Sequence, residues 1–339
     1  MSKVGLKRLA NDLNISISTV SKALRGSYEI SENTKKKVID AAQRLGYNPN
    51  PYAGSLRLRK SKTVAIIVPE LNNNFFMQAI EGAESIAQQN SYHILIYTTH
   101  DDLKLEESIL NHLQNGRVDG VIMSLGRHSQ TYHHINSLIQ SGIPIVFFDR
   151  VCHEIETVKI ITDDFMSGFN ATEHLIQNGC TTIAYLSISK YLSIDNKRKQ
   201  GYFEALNKYN ISVKEDLIVT CDGNEEDSYQ KIKELLTGNK KIDGIFTVIE
   251  RLAFTTYHVC KELNISIPGG LKIISFSNLK TASLLNPPLS SVTQPAFEMG
   301  RQAAAYLFKN LDKRQILMSN ENIVLKSELV IRQSSLQKN

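Results

Sequence analysis

The stretch Ile15-Ser-Ile-Ser-Thr-Val-Ser-Lys-Ala-Leu24 is the part of the sequence around which the rest of the chain is organised. Val20, Ala23 and Leu24 stand at positions i, i+3 and i+4, which predicts one apolar face of a short helix. The other faces carry hydroxyls and a lysine, and a serine near the start can cap the helix by accepting a first-turn N–H. Hydroxyls suit phosphate oxygens, and lysine suits the edge of guanine. For this window alone, a solvated amphipathic helix is an equally good interpretation.

The neighbouring segments decide between these interpretations. A second apolar helix face precedes the stretch and a third follows it, formed by Leu6, Leu9, Ala10 and Leu13 and by Val38, Ala41, Ala42 and Leu45, respectively. Asn14-Ile15 makes a tight link between the first two helices. Three short helices with such a turn are typical of a helix-turn-helix DNA-binding domain.

The charge of the chain is unevenly distributed. Residues 1–62 carry 13 Lys and Arg against 4 Asp and Glu, whereas residues 63–339 carry 26 against 30. A basic head on a mildly acidic body indicates nucleic-acid binding at one end only. The N-terminus has no apolar signal segment, and no apolar run reaches about 18 residues, so we expect a cytoplasmic protein that does not span a membrane.

Motifs of enzymes and metal sites are missing from the sequence. There is no phosphate-binding P-loop, no GxGxxG, no HExxH and no GxSxG. The four cysteines stand far apart without CxxC spacing, which favours buried thiols. His133-His134 fits a solvated helix better than a metal site, and Asp163-Asp164 has no partner motif for catalysis. We therefore expect no enzymatic activity, no cofactor and no metal.

From Thr63 onward, strands alternate with helices. Runs typical of buried strands occur at 63–69, 93–97, 120–124 and 144–149, and a second series occurs at 183–187, 218–220, 244–248 and 272–276. Alternation at this spacing predicts βαβ units and parallel sheets. The predicted fold class is an all-α helix-turn-helix head plus an α/β domain of two doubly wound parallel-sheet lobes.

Five segments, taken in order, resemble the lac repressor/galactose repressor (LacI/GalR) family of bacterial transcription regulators. They are Leu6-Lys-Arg-Leu-Ala10, Ser18-Thr-Val-Ser-Lys-Ala-Leu24, Ile30-Ser-Glu-Asn-Thr34, Leu45-Gly-Tyr-Asn-Pro-Asn50 and Ala53-Gly-Ser-Leu-Arg57. Two departures stand out. Asn14 occupies the turn position where the family usually has glycine, and Gly5 rather than threonine precedes the first helix.

The resemblance implies three regions. Residues 1–49 are the DNA-binding domain, residues 50–62 are a hinge helix and linker, and residues 63–339 are a periplasmic-binding-protein-like domain for effector binding and dimerisation. The first lobe covers about 63–161 plus 291–325, and the second lobe covers about 162–290. The expected partners are a palindromic double-stranded operator, a second copy of the chain and a small effector, with sugars or sugar derivatives as the favoured class.

The DNA contacts follow from the helix chemistry and from the resemblance. We expect Ile17, Ser18 and Lys22 to contact bases, and a hinge leucine, Leu56, to wedge into the minor groove. The remaining expected DNA contacts are Ser16, Thr19, Ser21, Arg25, Ser31, Thr34, Tyr47, Asn50 and Ala53.

The effector contacts are expected beyond the carboxyl ends of the strands, where ligands bind in open α/β sheets. The expected residues are Asn73, Phe75, Ser124, Asp149, Arg198, Glu250 and Ser277. The family often has Asn-Asp at Ile249-Glu250 and Gly-Phe-Asp at Ser275-Phe276-Ser277. The loss of that aspartate removes a usual partner of sugar hydroxyls, which argues against a common free sugar.

Arg198 is expected to lie across the cleft from Asp149. We expect Arg198→Ala to fold normally and bind operator without responding to effector.

The function predicted from these patterns is a ligand-controlled transcription regulator, with repression as the default. The alternative is a solute-binding protein without a transcriptional role, which would leave the basic head without a use. The sequence does not identify the effector, the operator or the direction of the response.

Overall fold

The computed structural model describes residues 5–24, 26–47, 60–114, 116–127, 131–312 and 320–337. The chain divides into two compact units, Met1–Arg59 and Lys60–Asn339, called here the head and the sensor. Four expected DNA contacts lie outside the described residues, namely Arg25, Asn50, Ala53 and Leu56.

The head consists of helices α1 (Leu6–Asp12), α2 (Ile17–Leu24) and α3 (Glu32–Arg44). Leu9, Val20, Ala23 and Val38 are almost completely buried where the three helices meet. The predicted apolar faces therefore form one small core. Asn14 takes a left-handed conformation with φ of 50° in the turn, which an asparagine tolerates better than most residues.

A serine caps the N-terminus of each of the two later helices of the head. The Oγ of Ser16 accepts the N–H of Thr19 at 3.0 Å, so Ser16 rather than Ser18 caps α2. The Oγ of Ser31 accepts the N–H of Thr34 at 3.3 Å at the start of α3. Each bond satisfies a first-turn N–H that has no partner within its own helix.

The first lobe of the sensor is a six-stranded sheet with helices on its faces. The strand order is β11-β5-β4-β3-β1-β2, and every pair is parallel. The elements are β1 (Thr63–Val68), α4 (Asn74–Gln89), β2 (His93–Thr98), α5 (Leu103–Leu113), β3 (Gly120–Met123), α6 (His133–Gln140), β4 (Ile145–Phe148), β5 (Lys159–Thr162), α11 (Ala296–Asp312) and β11 (Asn322–Leu325).

Strand β1 illustrates why a continuous apolar run is needed in this sheet. Val64, Ile66 and Val68 pack into the core on one face, and Ala65 and Ile67 pack into the core on the other. Successive side chains of a strand point to opposite faces, so a central strand covered on both sides must be apolar at every position.

The second lobe repeats this architecture. Its strand order is β12-β10-β9-β8-β6-β7, with only the β10–β12 pair antiparallel among the described pairs. The elements are α7 (Asp164–Gln177), β6 (Ile183–Ser187), α8 (Ser193–Lys208), β7 (Ile218–Thr220), α9 (Glu225–Thr237), β8 (Gly244–Thr247), α10 (Glu250–Glu262), β9 (Lys272–Phe276), β10 (Ser290–Thr293) and β12 (Glu328–Val330), with short 3₁₀ turns at Glu215–Leu217, Lys280–Leu284 and Gln333–Ser335.

The chain crosses between the lobes three times. It crosses after Thr162, again after Thr293, and finally between Leu325 and Glu328. Strand β10 belongs to the second sheet, so the return to the first lobe comes about three residues later than the expected boundary at 291. The sequence pattern missed this because Ser290, Ser291 and Thr293 leave the strand with little apolar pattern that would assign it to one sheet.

Two glycines tie helix α11 to helix α4 of the first lobe. A Cβ added at Gly82 would lie 1.9 Å from the carbonyl oxygen of Phe297, and one added at Gly300 would lie 1.8 Å from that of Ala79. No side chain fits at such distances, so the two helices touch through their backbones. The first lobe is therefore completed by residues that follow the second lobe in the sequence.

None of the described helices is both long enough and apolar enough to cross a lipid bilayer.

Candidate functional site

Helix α2 buries one face and leaves the other open to solvent. Val20 and Ala23 lie in the head core, whereas Ser18 is exposed and Ile17 is 47% exposed despite its apolar side chain. The exposed isoleucine beside hydroxyls suits a thymine methyl in the major groove. Of the other expected contacts, Tyr47 is partly buried against the head core.

Lys22 has a partner that the sequence pattern did not indicate. Its Nζ forms an ion pair with the carboxylate of Glu29, which lies in the segment between α2 and α3. The two side chains are 43% and 48% exposed. The expected base-reading lysine is therefore held beside an acid at the surface of the head.

In the sensor, polar side chains gather where the strands of both lobes end. The lining residues of this interlobe cleft are Asn73, Phe75, Phe76, Asp149, Arg150, Ile194, Arg198, Val248, Ile249, Glu250, Phe276, Ser277, Asn278 and Gln294. Six of the seven residues expected from the sequence are among them. The cleft has about 30 Å³ of free space in this arrangement, which is room for water alone, so a sugar enters only when the lobes or the lining side chains move apart.

Ser124 is the expected residue that the structure does not bring into the cleft. It is fully buried at the end of β3, and its Oγ accepts the N–H of Arg150 at 3.4 Å. Ser124 lies at the end of a strand as expected, but its side chain points to the backbone that follows the neighbouring strand β4 and not into the cleft.

Of the eight further residues in the lining, three are polar, and two of these three had a usable signal in the sequence. Arg150 adjoins Asp149, and Asn278 follows Ser277 beyond the end of β9, so the strand-end rule reaches both. Gln294 lies on the second crossover, which the sequence analysis did not treat as part of the site. Its Nε2 donates to Asp149 Oδ1 at 3.3 Å and to Thr162 at 3.2 Å, so it joins two of the crossover segments.

Arg198 is the most strongly held residue of the cleft. Its Nε donates to Asp164 Oδ1 at 2.7 Å and its Nη1 donates to the carbonyl of Val248 at 2.9 Å. The guanidinium carbon lies 3.6 Å from the centre of the Phe276 ring, a stacked cation–π arrangement. Its Nη2 is buried and has no hydrogen-bond partner in the described part of the chain, so it can donate to a ligand.

Asp164 and Asp149 are the two buried acids near Arg198. Burial raises the pKa of both carboxyl groups, and the charge of Arg198 acts against that rise. Asp149 follows β4 of the first lobe, in a left-handed conformation with φ of 59°, while Arg198 lies on α8 of the second lobe. The expected placement of these two residues on opposite lobes is what the structure has.

Glu250 provides a carboxylate where the sequence suggested that one had been lost. Its Oε2 accepts the hydroxyl of Ser277 at 2.7 Å, and its Oε1 accepts the amide of Asn74 at 2.9 Å. Asn74 belongs to the first lobe and Glu250 to the second, so this bond joins the lobes. The glutamate places an acid next to Ser277, which restores an acceptor for sugar hydroxyls despite the changed motif.

A further hydrogen bond between the lobes runs beside it. The Nε2 of Gln78 donates to the carbonyl of Asn278 at 3.1 Å. Side-chain bonds of this kind are exchangeable for bonds to a ligand. The arrangement can therefore hold the lobes together directly or through a bound molecule.

Two family models cover most of the chain. Residues 61–324 match the periplasmic binding proteins and sugar binding domain of the LacI family, and residues 6–50 match the bacterial regulatory proteins of the lacI family. The chain belongs to the LacI family. LacI-family proteins are transcriptional regulators, so this one is a DNA-binding regulator with an effector domain of the sugar-binding type, and it is not an enzyme.

Known members resemble this LacI-family chain over nearly its whole length. The transcriptional regulator RegA of Clostridium saccharobutylicum is 29% identical over 98% of this chain and 99% of its own. The ribose operon repressor of Haemophilus influenzae is 30% identical over 97% and 98%. The structure of the lac repressor dimer bound to operator and the anti-inducer ONPF is 19% identical, with a TM-score of 0.85 over 99% of this chain and 100% of that one.

These matches leave the solute-binding alternative without support, because the head itself matches the DNA-binding model of the family. Among the described residues, no group of three or more His, Cys, Asp or Glu is arranged to hold a metal ion.

Proposed function

We propose that this LacI-family regulator binds a palindromic operator as a homodimer and that a small sugar-like effector in the interlobe cleft controls its affinity for DNA. The open polar face of α2 is the observation that carries the DNA-binding part. That face carries Ile17, Ser18 and Lys22. These residues contact bases, because each side chain can interact with a group on the edge of a base. The protein acts in the cytosol, where its DNA is.

Phosphate contacts come from α2 and the residues next to its two ends, and from the start of α3. The hydroxyls of Ser16 and Ser31 lie at helix N-termini, where N–H groups and the helix dipole favour an anion. The proposed phosphate contacts are Ser16, Thr19, Ser21, Arg25, Ser31 and Thr34, with Tyr47, Asn50 and Ala53 nearby in sequence and Leu56 as the minor-groove wedge.

Two chains are needed because one three-helix head covers little DNA. Strand β2 lies at one end of the first sheet, and its Leu95 and Ile96 are 41% and 46% exposed. An open strand with apolar side chains favours pairing with a second copy. The related lac repressor structure is a dimer by its title. Sedimentation equilibrium of the full chain measures the oligomeric state directly, and a monomer bound to operator would exclude this proposal.

The effector contacts are Asn73, Phe75, Asp149, Arg198, Glu250 and Ser277. Aromatic rings, carboxylates, amides and a guanidinium in one cleft suit a polar ligand with several hydroxyls, and the related ribose operon repressor is named for a sugar operon. Because the contacts come from both lobes, the ligand binds the closed arrangement in preference to the open one.

Binding of the effector releases the operator. A ligand shifts this equilibrium only through its different affinities for two arrangements of the lobes, typically by about 1–3 kcal/mol. The test is a titration of operator affinity with a panel of sugars and sugar derivatives, using fluorescence anisotropy of a labelled operator selected from random DNA. Failure to select any DNA sequence would exclude the regulator function, and an affinity that rises with effector would reverse the proposed direction.

A further inference from the structure

A second cavity adjoins the cleft on the side of the β3–α6 segment, and we call it the flanking compartment. It encloses about 170 Å³ of free space and is lined by residues of both lobes, including Arg127 and Arg150 from the first and Leu192 and Ser193 from the second. Arg150 lines the cleft as well. The two spaces therefore share the side chain of Arg150 as part of their lining.

Two guanidinium groups in the flanking compartment have unused donors. Arg127 Nε and Arg150 Nη1 share the carboxylate of Asp101, at 2.6 Å and 2.8 Å. Arg127 Nη1 and Arg150 Nε are buried with no hydrogen-bond partner within the described residues, and Arg150 as a whole is only 4% exposed. A buried donor without an acceptor is costly, so these atoms indicate a ligand that supplies oxygen.

The N-terminus of α8 reaches the same compartment from the second lobe. The helix has 16 residues and begins at Ser193, and its N-cap residue Leu192 makes no side-chain hydrogen bond to the first turn. Asp195 lies in that first turn, but its carboxylate accepts the N–H groups of Ile188 and Ser189 instead. The first-turn N–H groups and the positive end of the helix dipole thus remain for an anion.

The charges around the compartment leave a positive excess. Arg127 and Arg150 are balanced in part by Asp101, and Glu154 lines the compartment while accepting the thiol of Cys152 at 3.0 Å. Burial, helped by the charge of Lys197 on α8, lowers the pKa of His153, which also lines the compartment, so this side chain adds no charge at neutral pH. The excess beside Asp101 is one cation, because Arg127 and Arg150 share its single carboxylate and Glu154 is exposed. Asp222 also lies within electrostatic range of Arg127, but it is paired with Lys231 at 3.3 Å.

From these groups we infer that the effector carries an anionic group, a phosphate or a carboxylate, that binds in the flanking compartment while its hydroxyl-bearing part occupies the cleft. This inference rests on the proposed effector function and narrows the class of ligand. Planar guanidinium forks from one lobe and helix N–H groups from the other meet the same oxygens, so the anionic group draws the lobes together. Neutral sugars lack this contact and bind more weakly.

The test compares matched probes on the full chain. Isothermal titration calorimetry measures binding of glucose, ribose, glucose 6-phosphate, ribose 5-phosphate and glucuronate, with inorganic phosphate as a further arm. We expect at least one anionic sugar to bind at least tenfold more tightly than its neutral parent and than phosphate alone. If the phosphate esters bind more tightly than glucuronate, the anionic group of the effector is a phosphate. If glucuronate binds more tightly, the group is a carboxylate.

The variant Arg127→Gln removes one fork without touching the cleft. We expect it to lose at least tenfold in affinity for the anionic sugar and nothing for the neutral parent, with operator affinity unchanged in the absence of sugar. Arg117→Gln removes the same charge from an exposed position and serves as the matched control. Arg127→Lys retains the charge without the planar fork, so its affinity for the anionic sugar should lie between those of Arg127→Gln and Arg117→Gln.

Three outcomes would overturn the inference. They are equal binding of neutral and anionic probes, unchanged anionic affinity in Arg127→Gln, and binding of inorganic phosphate as tight as that of any sugar phosphate. Measuring operator affinity distinguishes a failure of this inference from a failure of the proposed effector control. If the anionic sugar binds as expected but operator affinity does not change, the compartment is supported and the proposed effector control is not.

Discussion

Helix α2 of the head and the interlobe cleft of the sensor each contain an ion pair, but the pair on α2 is exposed to solvent and the pair in the cleft is buried. Lys22 and Glu29 form an ion pair whose side chains are 43% and 48% exposed, whereas Arg198 and Asp164 form one whose side chains are 3% and 2% exposed. An exposed pair contributes little to stability, and a buried pair is costly to break. The exposed charges of α2 therefore contribute little to the stability of the head, whereas the buried charges of the cleft also support the fold.

The largest expected effect is on stability and follows from Arg198→Ala. The substitution leaves Asp164 buried without its cation, which we expect to lower the free energy of unfolding by about 3–5 kcal/mol in urea titrations. The buried pair thus corrects the expectation that this variant folds normally. Adding Asp164→Asn removes the unpaired charge and should recover part of the loss. An unfolding midpoint equal to that of the wild type would show that the pair is not the support described here.

The head should respond in binding and not in stability. Lys22→Ala is expected to weaken operator binding by about 1–3 kcal/mol, to relax the preference at one base pair and to leave the unfolding midpoint unchanged. Lys37→Ala, on an exposed position of α3, is the charge-matched control and should weaken binding to all sequences equally. A uniform loss for Lys22→Ala, measured by anisotropy on operator and random DNA, would remove its base-reading role.

Burial in the sensor also makes its stability depend on pH. Burial lowers the pKa of His174 below its ordinary value of 6.5, and its Nε2 lies 2.7 Å from the hydroxyl of Ser335. The unfolded chain then binds a proton more readily than the folded chain, so stability falls as the pH drops through 6.5.

We expect His174→Gln to reduce this fall between about pH 7 and about pH 5, because glutamine does not titrate there. Unfolding in urea across that range measures the effect, with the exposed His93→Gln as the control. A slope that His174→Gln leaves unchanged would assign the acid sensitivity to another group.

The smallest expected effect concerns the exposed pair itself. Glu29→Gln frees Lys22 and removes a negative charge near the DNA, so we expect non-specific DNA binding to tighten by about 0.3–1 kcal/mol. Glu32→Gln is the control because Glu32 also pairs with a lysine of the head, Lys35, and its own side chain is 89% exposed. Equal gains from both variants, in salt titrations on random DNA, would show a general charge effect and no special link to Lys22.

Local patterns predicted most of the fold, and long-range partners explain what they missed. The helical spacing of Val20 and Ala23 and the apolar run of β1 are local signals, and both led to the correct element. Most of strand β10 was placed in the wrong lobe, because its pairing with β9 and with the distant Glu328–Val330 is not visible in its own sequence. Ser124 was expected in the cleft from its position at a strand end, and Arg198 was expected there from its match to an arginine of the family.

What separates these two residues is orientation and partnership. Ser124 turns toward the backbone of Arg150, and Arg198 depends on Asp164, which follows the first crossover. A sequence without coordinates does not reveal that Asp164 and Arg198 meet, because the contact depends on how α7 packs against α8. Glu250 was expected in the cleft, but its contact with Ser277 was not foreseen, because the two residues follow different strands, β8 and β9.

The three crossovers have a consequence for the synthesis of this protein. The first sheet lacks strand β11, and helix α4 lacks its partner α11, until residues beyond 290 have left the ribosome. The second sheet in turn waits for β12, at Glu328–Val330. Neither lobe is complete before almost the whole chain has been translated, so the sensor folds after translation rather than lobe by lobe during it. The head, whose core closes within the first 47 residues, can already be folded while the sensor is still being made.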